Sequence, residues 1–161
     1  MSASIINSLL WAAAISCGLM AGIYFAFSVF IMQSFAKIKT EQAIAAMNSI
    51  NKVILRSLFM PLFFGSSIIS VLLIIVGINQ WNEIHSVLIL LAGAIYLVGM
   101  FMCTVLFNVP LNNALANQDP KSEIAQQVWT HYLTSWTKWN HLRTMSSLVT
   151  CTLCIFVLSS Q

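Results

Sequence analysis

Four runs of this chain are too long and too apolar to be anything but helices in a bilayer. They extend from about Asn7 to Phe35, Phe59 to Ile78, Ile84 to Phe107 and Asn140 to Ser159. A helix needs about 20 residues to cross the hydrocarbon, and lipid offers the backbone no hydrogen-bond partner, so each run must satisfy its own amides. The expected fold is therefore all-α, an integral membrane four-transmembrane-helix bundle. Composition agrees, since only 7% of the 161 residues are charged against roughly 25% in a soluble domain. Residues 1–161 form a single membrane domain with no segment left for a soluble one. The formal charge of +3 is scattered, which argues against nucleic acid as a partner. The first run far exceeds a signal-peptide core of roughly 7–15 residues, so it is expected to stay in the mature protein.

Two further stretches are helical in pattern but interrupted by charge. Residues 40–57 put Ala43, Met47, Ile50 and Ile54 on one face and Ser49, Lys52 and Arg56 opposite them. Residues 124–139 carry the tryptophans and lead into the last run. Both read as amphipathic helices packed at one end of the bundle. All seven Lys and Arg fall in the connections Lys37 to Arg56 and Lys121 to Arg143. The positive-inside rule assigns that end to the cytoplasm and both termini to the outside, as in a bacterial inner-membrane protein. Breaks are expected at Asn79-Gln80-Trp81-Asn82-Glu83, at Asn108-Val109-Pro110, where proline removes a backbone donor, and at Asp119-Pro120. Ala14, Gly18, Gly22 and Ala26 form a small-residue ridge, whose spacing suits either a homo-oligomer or the bundle itself.

The polar residues inside this apolar frame are arranged, not scattered. At 100° per residue Trp129, Leu133, Trp136, Asn140 and Arg143 fall in one stripe with Tyr132 and Trp139 along its edge, continued by Ser147, Cys151 and Cys154. Tyr96, Met100, Thr104 and Asn108 form a second line, with Asn112 and Asn113 just beyond it. Asn51 sits in the apolar face of the first amphipathic stretch, and Asn48 at its edge. The topology brings these clusters, with Gln33, to the same depth at the basic end. An intramembrane arginine costs about 2.5–3.5 kcal/mol on insertion scales, and no acidic residue lies in the spans to pair with Arg143. Its remaining partners are carbonyls, the asparagine amides, an anionic ligand, or phospholipid headgroups reached by snorkelling. His141 is the cluster's one imidazole and a candidate base, although an unbroken helix sets it some 120° from the stripe.

Other chemistries find less support. Three separated histidines and no carboxylate in the spans make no metal-ligand set. Cys151 and Cys154 have redox spacing, but no cysteine pair lies in a loop to pass electrons on, and membrane cysteines commonly serve as small apolar fillers.

Gly22-Ile-Tyr-Phe-Ala-Phe27, Met47-Asn-Ser-Ile-Asn51, Phe107-Asn-Val-Pro-Leu-Asn-Asn113 and Trp136-Thr-Lys-Trp-Asn-His-Leu-Arg-Thr144 resemble the signature stretches of the anthrone oxygenase-like membrane proteins. The resemblance runs in order along almost the whole chain. It implies a four-helix membrane protein, some of whose relatives oxidise an anthrone to an anthraquinone with dioxygen as co-substrate and no evident metal or flavin cofactor. Such a site needs a flat apolar slot, a base and donors for an oxyanion. Tyr24 and Trp136 suit the slot. His141 suits the base, and Asn51, Asn108, Asn112, Asn140 and Arg143 suit the donors, with Asn48 and Asn113 as further contacts.

The leading expectation is thus a membrane protein that binds a planar hydrophobic small molecule, in the oxygenase case with His141, Asn140 and Arg143 as catalytic residues. The competing reading is a non-enzymatic accessory or transport protein whose polar cluster is structural or binds lipid headgroups. A third is thiol, quinone or metal redox.

Overall fold

A computed structural model describes residues 2–160. Helix α1 spans Ala3–Phe35, α2 Thr40–Ile54, α3 Phe59–Asn79, α4 Ser86–Ala116 and α5 Glu123–Ser159. All but α2 are long and apolar enough to cross a membrane, so the four-span bundle expected from the sequence is the fold. Large apolar side chains line the outside at helical spacing, as Trp11, Ile15 and Leu19 do on α1.

Three apolar layers stack along the bundle. Leu10, Leu73, Val76, Ile89 and Val157 fill the end nearest both chain termini. Cys17, Met20, Phe63, Tyr96 and Met100 fill the middle. At the basic end Met32, Ile44, Met47, Leu115, Trp129, Tyr132 and Trp136 enclose the feet of α2 and α5. The ridge on α1 serves the bundle at Gly18, where an added Cβ would stand 3.4 Å from Cys151 Sγ on α5, whereas Gly22 faces open space.

Two expected boundaries move. The last span and the tryptophan helix are one continuous helix of 37 residues, Glu123–Ser159. Ser122 caps it by accepting the Ala125 amide at 3.1 Å, and neither glycine nor proline interrupts it. At 1.5 Å per residue it is about 55 Å long, nearly twice the hydrocarbon thickness, so its polar first half projects beyond the core while its backbone stays regular.

The third span likewise does not stop before Pro110. It runs on to Ala116, because a π-helical turn at Thr104–Asn108 precedes the proline and a new α-helical segment starts at Val109. Pro110 stands at the start of that segment, where its fixed φ suits a helix. A second π-helical turn occupies Leu97–Met102, and a third Phe27–Ile31 of α1. Widened turns of this kind recur at functional sites, because they turn side chains out of the regular α register. All three lie level with the cavity described next.

Candidate functional site

The basic end holds a cavity of about 450 Å³, within the range of ligand sites. Every helix contributes to it: Tyr24 and Phe27 from α1, Met47, Asn48 and Asn51 from α2, Phe59 and Phe63 from α3, Phe101, Thr104, Asn112 and Asn113 from α4, Trp136 and Arg143 from α5. Most of this wall is aromatic or aliphatic, and the polar groups are few.

Arg143 dominates the polar wall. Its side chain is only 4% exposed. Nη2 donates to Asn140 Oδ1 at 2.7 Å, and Nη1 reaches Thr104 Oγ1 at a long 3.4 Å. The guanidinium lies 4.3 Å from the Tyr24 ring centroid and 5.0 Å from that of Trp136, close enough for cation–π attraction from both. No carboxylate stands in the cavity wall, and Nε has no partner. Snorkelling to headgroups is not what this arginine does; it points into the bundle.

Asn140 holds it there. Asn140 is fully buried, and its amide donates to the Tyr24 carbonyl and to Ser28 Oγ, both at 2.7 Å. This ties α5 to the π-helical turn of α1 and leaves Oδ1 aimed at the guanidinium. Asn140 itself is absent from the cavity wall and touches it only through Arg143. Asn108 is similarly occupied, donating to the Trp136 carbonyl at 3.2 Å from a fully buried position behind the wall. Asn112 lines the cavity, but its Oδ1 accepts the Tyr132 hydroxyl at 2.7 Å.

Other polar atoms on the wall are buried and unpartnered. They are Asn51 Nδ2, Asn48 Oδ1 and Trp136 Nε1, besides Arg143 Nε. A buried donor or acceptor without a partner costs about 1–3 kcal/mol, and these three donors and one acceptor all belong to residues that line one cavity. Trp136 is held by a stacked series, with Tyr132 at 5.9 Å and Trp129 at 5.6 Å beyond it, and by Phe27 at 5.6 Å.

His141 does not join this site. The unbroken helix leaves it exposed on the outer face of α5, away from the cavity wall. Gln33 is exposed as well. His141→Ala is expected to change stability by no more than about 0.5 kcal/mol, as surface substitutions generally do, which thermal unfolding would check.

Thr104 stands beside Arg143, as its position in the Tyr96 to Asn108 line foreshadowed. Phe63 and Phe101, whose rings lie 5.4 Å apart, were not anticipated. Their signal was the recurrence of Phe59, Phe63 and Phe64 at the start of α3. All four cysteines are free, and none lines the cavity. Among the described residues no three His, Cys, Asp or Glu side chains gather as metal ligands.

Fold and cavity together define a four-span helical membrane protein with a mostly apolar chamber, bearing a few polar groups, at its basic end. The sequence profile of the anthrone oxygenase family matches residues 53–153, and the chain belongs to that family. The matched stretch includes Thr104, Asn108, Trp136, Asn140 and Arg143, while Tyr24, Asn48 and Asn51 come from the part before it. No curated protein and no solved structure matches the chain.

Proposed function

We propose that this protein binds a planar, mostly apolar molecule bearing one phenolic or enolisable carbonyl oxygen, and that with an anthrone and dioxygen it acts as an oxygenase. The observation that carries the reading is Arg143, a guanidinium desolvated on a cavity wall that offers no carboxylate. An oxyanion is the complement it lacks. Trp136 Nε1 and Asn51 Nδ2 supply further donors, and the aromatic walls match a flat ring.

For an anthrone the chemistry follows from that charge. Loss of a methylene proton converts the ketone to an aryl oxyanion, and a cation beside the oxygen favours the ionised form. The electron-rich ring then passes an electron to dioxygen; oxygen bonds to the former methylene carbon, and loss of water leaves the quinone carbonyl. One dioxygen and one anthrone thus give one quinone and one water. With His141 outside, the proton goes to water or hydroxide at the cavity mouth, and Arg143 acts by raising the acidity of the substrate. Dioxygen is the co-substrate, and the chain's residues contribute binding and electrostatics.

Asn108 and Asn140 use their amides between helices, which is what a structural polar cluster would do, but Asn48, Asn51 and Trp136 remain unpartnered. We place the basic end in the cytoplasm of a bacterial inner membrane on the distribution of Lys and Arg.

The test is dioxygen uptake with an anthrone by protein in lipid nanodiscs, beside ligand-dependent thermal shift. Trp136→Phe keeps the ring and removes one donor, so it should weaken binding about fivefold to tenfold, the equivalent of about 1–1.4 kcal/mol for one hydrogen bond. Uptake no faster than in empty nanodiscs, with no thermal shift from any flat phenol, would overturn the proposal.

A further inference from the structure

The cavity has a second, apolar side, on α3 and α4. Helices α3 and α4 are pressed together over the first half of α4. A Cβ added to Gly77 would stand 2.6 Å from Leu90 Cβ, and one added to Gly93 would overlap the Ser70 carbonyl. Beyond Leu97, where α4 enters its π-helical turns, packing of α3 on α4 becomes sparse. Phe64 and Val105, on either side of that gap, both line the cavity and are 49% and 47% exposed. Neither carries a polar side-chain atom, and both lie within helices long and apolar enough to cross a membrane, where an exposed apolar side chain suits hydrocarbon.

The unpartnered polar atoms belong to a different wall, on α2 and α5. The chamber is therefore polarised, with Arg143, Trp136 and Asn51 at one side and the half-exposed apolar Phe64 and Val105 at another. Lys52, the one charged side chain besides Arg143 that borders it, is exposed and carried by α2, not by the gap.

From this arrangement we infer that the ligand is an alkyl-tailed phenol. Its flat head occupies the cavity with the oxygen at Arg143, and its tail leaves through the Phe64–Val105 gap into the bilayer. The inference rests on the reading of the cavity given above and adds the ligand class and the route. A tail kept in hydrocarbon meets rim side chains as apolar as lipid itself. A tail folded back inside would instead press on Asn48 and Asn51 and leave their polar atoms without water or partner. A ligand soluble in the membrane also needs no passage through water to reach a site that opens sideways.

Two probes separate the parts of the claim: 1-naphthol, a head alone, and 4-decyl-1-naphthol, the same head with a tail. Binding is measured by quenching of tryptophan fluorescence in nanodiscs, for wild type and for Val105→Trp, which fills the gap. Partitioning raises the tailed probe's local concentration equally for all variants, so the comparison is made across variants. The expected result is a loss of tenfold or more for the tailed probe in Val105→Trp and a change within twofold for 1-naphthol. Phe64→Ala, which widens the gap from its other side, should leave the tailed probe bound at least as tightly as in wild type. Val98→Trp, on the lipid face of α4 but off the cavity wall, should alter neither.

Equal effects of Val105→Trp on both probes, or no effect on the tailed one, would overturn the tail route. Arg143→Met tells this failure from that of the underlying reading. If it leaves both probes bound as before, the cavity itself has been misassigned; if it weakens both while Val105→Trp spares the tailed probe, the route alone falls.

Discussion

Arg143→Met is expected to lower the affinity for a phenolate-type ligand by two to three orders of magnitude without lowering the stability of the ligand-free protein by a comparable amount. The two halves of this expectation have the same cause. A guanidinium in the wild-type wall has given up its water, keeps one short hydrogen bond to Asn140 and has no counter-charge. Hydrogen bonds to charged groups are worth about 1.5–3 kcal/mol each, and a bound oxyanion forms at least one of them while neutralising the charge. Losing that contact and its Coulomb attraction amounts to about 3–4 kcal/mol, hence the hundredfold to thousandfold effect.

In the empty protein the balance differs. Methionine removes cation–π attraction to Tyr24 and Trp136 and leaves Asn140 Oδ1 unpartnered, but it also removes a buried charge whose insertion costs about 2.5–3.5 kcal/mol. These terms oppose one another, so the thermal midpoint without ligand should stay near that of wild type. The paired measurement is ligand titration and thermal unfolding of both proteins in the same nanodiscs. A protein that melts far earlier and still binds normally would mean that Arg143 is a structural residue. Asn140→Asp sharpens the comparison, because a carboxylate beside Arg143 would supply the missing counter-charge from within and compete with the ligand for it.

How much of this was readable from the chain depends on what each residue's role rests on. The stripe Trp129, Trp136, Asn140 and Arg143 was visible, because an uninterrupted helix converts spacing directly into a face, and all four are buried. The same arithmetic put His141 off that face, and no glycine or proline in Glu123–Ser159 provides a bend to bring it in. Splitting that helix at Asn140 mistook a change of solvent for a change of backbone. Pro110 misled in the opposite sense, since the proline rule assumes regular α turns and the π-helical turn before it is a tertiary outcome. Partner choice was the least legible property. Asn51, Asn108 and Asn140 look alike as intramembrane amides, yet one faces the cavity, one holds a backbone carbonyl and one holds an arginine. Only the packed arrangement of α1, α4 and α5 decides which.

Gly93→Val should be strongly destabilising, and Gly65→Ala should have the opposite sign. Both glycines lie within helices, where replacing glycine by a better helix former gains up to about 1 kcal/mol. A methyl group added at Gly65 would meet nothing within 4 Å, so that gain is realised and the melting temperature rises slightly. At Gly93 the added carbon would overlap the Ser70 carbonyl and stand 2.9 Å from Ile74 Cγ1 and 3.1 Å from Ile74 N. Two of these neighbours are backbone atoms of α3, which no rotamer change can move, so the helices must separate. Overpacking of this kind costs about 1–3 kcal/mol or more. In lipid it is felt in full, because helix association there depends on close van der Waals contact and not on exclusion of water. The same crossing sets the angle at which α3 and α4 diverge toward Phe63, Phe64 and Phe101, so forcing it open would distort the cavity wall as well as loosen the bundle. Thermal unfolding and 1-naphthol titration of both variants in nanodiscs read the two effects. A Gly93→Val protein that melts with wild type would show that α3 and α4 do not meet as closely as the fold requires.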